Sequence, residues 1–134
     1  MALKFKPKTY GPVHVHFDGE GGVSFAEGET GERHAHPPHS TPVVTLLASL
    51  GHCLLESLRI VARGKGLTPG AFTITVIGER ALDLPGRLGS IRYAVEGWPM
   101  DQPGGGDLVA DAKAICTISN SLGPVTISAG LAAM

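Results

Sequence analysis

Only two cysteines, Cys53 and Cys116, occur among the 134 residues. That is too few for a disulfide framework, and a single pair in a chain of this kind is expected as free, catalytic or redox-sensing thiols. Charge of one sign is also lacking: eleven Lys and Arg stand against twelve Asp and Glu, for a formal net charge of -1. The basic residues are scattered, which argues against nucleic acid or an anionic membrane as partner. The opening residues, MALKFKPKTY, contain no apolar core of the kind a secretory signal carries, so the expected location is the cytoplasm. The longest apolar stretch is interrupted by Arg59 and Arg63 and is expected to be too short for a bilayer, which takes about 20 residues. Internal repeats are absent, and the length suits one domain spanning 1–134.

What is present is organised around Pro42 to Lys65, PVVTLLASLGHCLLESLRIVARGK. At 3.6 residues per turn, Thr45, Ser49, His52, Glu56, Arg59 and Arg63 form one narrow polar stripe, and most of the remainder is apolar. The pattern predicts a helix buried over most of its circumference. Ser40 or Thr41 is placed to cap its start, Pro42 suits its first position, and Gly64 or Gly66 its stop. Cys53 falls beside the polar stripe. Taken alone it reads as a small core hydrophobe; a second thiol elsewhere in the chain opens a redox reading.

The segments on either side alternate with a period of two. Leu3 and Phe5, then Val13, Val15 and Phe17, then Val23 and Phe25 after a turn at Asp18 to Gly22, predict short antiparallel strands. Phe72, Ile74 and Val76, and after a turn at Pro85 to Gly89 Ile91, Tyr93 and Val95, predict two more. Asp107 to Ile115 is expected as a short helix burying Leu108, Ala112 and Ile115, with Cys116 at its end; Val125 and Ile127 begin a closing strand. The expected architecture is α+β, a long buried helix packed on a curved antiparallel sheet.

Histidine is the other conspicuous chemistry, with six in the chain. His14 and His16 share a strand face, and His34, His36 and His39 lie in the polar loop EGETGERHAHPPHS. Imidazoles are common ligands of zinc and copper, but spacing of this kind is ordinary on exposed strands and loops, and no metal is assigned. His52 and Cys53, adjacent on a helix, point about 100° apart and are poorly placed to chelate one ion. A Cys-His acyl-transfer site lacks any motif for an oxyanion hole. Trp98 reads as a loop anchor or interface residue, and Ser119 and Asn120 as turn-forming residues after Cys116.

The pieces STPVVTLLASLGHC and AKAICTISNSLGPVTI, with cysteines 63 positions apart (116 − 53), resemble the OsmC/Ohr family of organic hydroperoxide reductases. The resemblance runs from about Thr41 to Ile127. It implies an OsmC-like fold, an intertwined homodimer with sites at the subunit interface, and a thiol peroxidase that needs no cofactor. Matched residue by residue, Cys53 takes the place of the peroxidatic cysteine and Cys116 that of the resolving cysteine. The implied partners are an organic hydroperoxide and an external dithiol reductant. One feature departs from the family. Members active on organic hydroperoxides carry a glutamate early in the helix, paired with an arginine from the N-terminal strands; here Val43 and Val44 occupy the helical positions, and the first arginine is Arg33. Free thiols are mostly protonated at neutral pH, so a cation must replace the pair; His52 and Arg33 are the candidates, with Glu56, one turn on from Cys53, placed to orient it. The alternative is a member of the fold without peroxidase activity, binding a small ligand or metal through the histidine-rich loop.

Overall fold

The computed structural model describes residues 6–83, 86–123 and 125–129; the strand expected around Leu3 and Phe5 lies outside them. In chain order the elements are β1 (Thr9–Phe17), β2 (Val23–Glu27), α1 (Pro42–Gly64), β3 (Phe72–Arg80), β4 (Leu88–Gly97), α2 (Gly105–Ala114), α3 (Thr117–Ser121) and β5 (Thr126–Ser128). The strands form one five-stranded sheet in the order β2-β1-β3-β4-β5. β1 to β4 pair antiparallel, as the alternation predicts. β5 instead runs parallel to β4, which corrects the expectation of a wholly antiparallel sheet. Between β4 and β5 the chain passes through α2 and α3, and such a crossover returns a strand in parallel where a tight hairpin cannot.

The β1–β2 hairpin is closed by Asp18, whose Oδ1 accepts from the backbone N–H of Glu20 at 2.6 Å and of Gly22 at 2.9 Å. Along β1, Val13, Val15 and Phe17 turn to the core. His14 and His16 face the other way and bond through Nδ1 to Thr75 Oγ1 and Thr73 Oγ1 of β3, each at 2.8 Å.

α1 begins where a cap and a proline both favour it. Thr41 Oγ1 accepts from the Val44 N–H at 3.2 Å, and Pro42 takes the first turn, where it forfeits no helical hydrogen bond. Beyond the last turn Gly66 adopts φ +73°, a left-handed conformation that glycine enters at little cost. The helix packs on β1 and β3. Leu47, Leu50 and Leu55 are fully buried, each contributing roughly 1.5–3 kcal/mol relative to exposure. Closest approach is at Gly51, where a Cβ would stand 2.8 Å from Val15 Cγ2 and 3.0 Å from Val76 Cγ2. The expectation that this segment is too short for a bilayer is not met on length and composition, since an 18-residue window has mean hydropathy 1.4. Half of that window is buried inside the fold, so the apolar surface is used by the core.

The C-terminal part departs from expectation in two ways. Ile115 is not on the buried side of its helix but 47% exposed; Leu108, Val109 and Ala112 face inward instead. The helix ends at Ala114, one residue too early to carry Ile115 round to that side. The run after Cys116, expected as a turn, is the short helix α3. Trp98 is buried with its ring 6.0 Å from Phe72, anchoring the loop after β4.

Candidate active site

Cys53 sits in the middle of α1, partly buried and packed against the core. Cys116 arrives from the other end of the chain, at the junction of α2 and α3. Its placement follows from three local bonds. The Cys116 N–H donates to Lys113 O at 3.2 Å, and the Asn120 N–H donates to Cys116 O at 2.9 Å. Asn120 Nδ2 donates to Ala114 O at 3.1 Å. Cys116 is thereby the N-cap of α3, its Sγ accepting from the Ser119 N–H at 3.4 Å. It is fully buried.

Because α3 touches α1, the two thiols share one part of the core, close enough for Cys53 to influence the titration of Cys116. Both are free thiols. Burial is the main influence on Cys116 and pushes its pKa up to about 11. The Ser119 and Ile118 amides pull it down, while the nearby Cys53 pushes it up. At neutral pH Cys116 therefore keeps its proton.

Tyr93 of β4 is the neighbour that sequence reasoning missed. Its phenol is held above the ordinary value, first by burial and then by Cys116, so it stands near the same thiol. The alternation of Ile91, Tyr93 and Val95 assigned it to the core face; nothing local assigned it to Cys116.

The remaining candidates separate into two groups. On the surface of α1, Arg59 Nη1 is 3.0 Å from Glu56 Oε1 and 3.2 Å from Oε2, and its guanidinium lies 4.4 Å from the centroid of the Phe17 ring. His52 Nε2 is 3.7 Å from Glu56 Oε1, and its ring meets Phe25 edge-on at 5.4 Å. Arg33 is elsewhere, with His16, Asp18, Ser24, Thr73 and Glu96 round a cleft of about 290 Å³. Burial, then the Arg33 charge, then His14 lower the His16 pKa to about 4. Among the described residues no hydrogen bond or ion pair joins Cys53 to His52, Glu56 or Arg33.

In the histidine-rich loop, His34 stacks on His36 at 5.2 Å and His36 on His39 at 5.9 Å, beside a cleft of about 320 Å³ that Glu27 and Glu32 also line. Parallel stacking turns ring faces, not nitrogens, toward each other. Among the described residues no three His, Cys, Asp or Glu side chains are grouped to hold a metal ion.

The family model described as OsmC-like protein matches residues 35–129. A search of the curated proteins finds no match. Among solved structures the chain is similar to an organic hydroperoxide resistance protein from Legionella pneumophila, with a TM-score of 0.55 at 15% identity over 92% of this chain and 96% of that one. It is similar to the organic hydroperoxide resistance protein OhrB of Bacillus subtilis, with a TM-score of 0.54 at 17% identity over 92% and 96%. An OsmC like protein from Mycoplasma pneumoniae aligns with a TM-score of 0.51 at 16% identity over 96% and 95%. At these identities the structures speak for the fold, which is the fold the family model leads one to expect. With that model covering the helix that carries Cys53, the segment that carries Cys116 and the sheet between them, the chain belongs to the OsmC-like protein family.

Proposed function

We propose that this protein reduces organic hydroperoxides by a two-thiol cycle in which Cys53 attacks and Cys116 resolves. The observation that carries the reading is that a partly exposed Cys53 shares one part of the core with a buried, protonated Cys116. The Cys53 thiolate attacks the distal oxygen of the hydroperoxide. The O–O bond breaks, an alcohol leaves with a proton, and Cys53 becomes a sulfenic acid. Cys116 then attacks the Cys53 sulfur; its proton leaves with the hydroxyl as water, and a Cys53–Cys116 disulfide forms. An external dithiol restores both thiols by exchange and is itself oxidised to a disulfide.

The division of labour follows from access. Cys53 is reachable by a peroxide, whereas Cys116 is fully buried and holds its proton until a sulfenic acid forms beside it. Ile118 and Leu122, partly buried against the core, belong to the segment that touches α1 and favour an organic peroxide over hydrogen peroxide. A Cys116 S–H turned to the Cys53 sulfur would offer assistance of the kind that the family's Arg-Glu pair gives. His52, tied to Glu56, is the nearest candidate along the helix for further support; Arg33 lies with His16 in this chain and would have to move.

The test is consumption of cumene hydroperoxide with a dithiol reductant, comparing wild type, Cys53→Ser and Cys116→Ser. The expected result is turnover by the wild type, none by Cys53→Ser, and a Cys116→Ser protein that fails to recycle with the dithiol and accumulates over-oxidised Cys53. Equal inertness of wild type and Cys53→Ser would overturn the proposal.

A further inference from the structure

At the start of α1, away from the thiols, lies a cleft of about 340 Å³ lined by Tyr10, Val43, Leu46 and Val125, with Arg80 and Arg87 on its wall. The volume is at the lower end of the roughly 300–1,000 Å³ usual for small-molecule sites. Leu46 precedes Cys53 by two helical turns, about 10 Å along the axis.

Its charges are unbalanced. Arg80 donates from Nη2 to Lys6 O, while its Nε is buried with no hydrogen-bond partner among the described residues. A guanidinium has five N–H donors and no acceptor, and a buried donor without a partner costs free energy. Arg87 pairs with Asp83 at 2.9 Å, but Asp83 is 77% exposed, so that pair is largely screened and leaves Arg87 available. Lys8 does not line the cleft but stands over its Tyr10, with Nζ 4.9 Å from the ring centroid. Two guanidinium groups thus line an apolar hollow, and among the described residues only the exposed Asp83 is ion-paired with either of them.

We infer that this cleft binds a small monocarboxylate with an aliphatic tail, its carboxylate between Arg80 and Arg87 and its tail on Val43, Leu46 and Val125. A carboxylate is planar and accepts in pairs, which matches the guanidinium fork and strengthens each bond through charge. The apolar walls select against compact inorganic anions, which gain nothing from them. The site involves neither cysteine and stands or falls separately from the peroxidase reading.

The experiment is calorimetric titration of the full chain with sodium octanoate, and in parallel with 1-octanol, which has a similar tail and no charge. Saturable binding of one octanoate per chain is expected, with octanol at least about tenfold weaker. Arg80→Gln and Arg87→Gln should each weaken octanoate about tenfold and leave octanol unchanged. Leu46→Ser should weaken both ligands. If Arg80→Gln fails to fold, Arg87→Gln, next to the exposed Asp83, carries the charge test alone. Equal affinity for octanoate and octanol, or unchanged octanoate affinity in the arginine variants, overturns the assignment. So does the absence of saturable binding, including the case in which a second copy of the chain covers the cleft.

Discussion

Cys116 and His16 show the same physical effect in groups of opposite charge type. Each is an ionisable side chain for which burial penalises the charged form: the thiol is pushed up to about 11 and the imidazole down to about 4. For Cys116 the consequence is a proton retained beside Cys53. For His16 it is acid sensitivity. The folded protein keeps His16 neutral between its ordinary pKa of 6.5 and about 4, whereas the unfolded chain takes up a proton over that interval. Stability is therefore fully present above pH 6.5 and falls as pH drops towards 4, after which this contribution stays lost. Replacing His16 by glutamine, which does not titrate, should make the melting temperature fall less between pH 6.5 and 4 than in the wild type. Identical slopes would show that His16 has no part in the acid response.

Helix α1 lies close to the sheet because a glycine stands at its crossing point. With Val15 Cγ2 and Val76 Cγ2 at 2.8 and 3.0 Å from where a Cβ would stand, both neighbours β-branched and set in central strands, there is little room to yield. Gly51→Ala gains about 1 kcal/mol of helix propensity but incurs overpacking of about 1–3 kcal/mol. The expected outcome is a net loss on the order of 1 kcal/mol, read as a lower urea midpoint. A gain in stability would mean that the helix can lift off the sheet without penalty, so that Gly51 does not set the packing distance. The same spacing matters for the thiols, since Cys53 follows Gly51 by two residues and its height above the sheet is set by that contact. α3 works from the other side. It is only five residues long, and with Cys116 as its cap it fixes the second thiol through backbone and Asn120 bonds.

The sheet and its helices leave apolar surface uncovered. Ile60 on α1 is 54% exposed, and Ile115 and Met100 are 47% and 48% exposed. A chain of this size benefits from burying such residues against another copy. We propose that the protein is a homodimer in solution, with the helical layer contributing to the contact. Light scattering after size-exclusion chromatography should give the mass of two chains, and Ile60→Lys should shift it towards one. A monomeric wild type would refute the dimer and with it the sharing of a site between subunits.

The sequence by itself determined most of the elements. The 3.6-residue period and the Thr41-Pro42 cap located α1 to within a residue at its end, and the alternation of Val13, Val15 and Phe17, and of Ile91, Tyr93 and Val95, assigned the inward face of the strands correctly. These are local signals, since a side chain's direction follows from the repeat of its own element. The tertiary structure alone decided which residues from distant segments meet. It brought Cys116 into the core beside Cys53, with Tyr93 near Cys116, sent Arg33 to His16, turned Ile115 outward, made a helix of the residues after Cys116, and laid β5 parallel to β4. Each of these depends on where the chain reverses and on how closely α1 approaches the sheet at Gly51, and periodicity within one element carries no information about the distance to another.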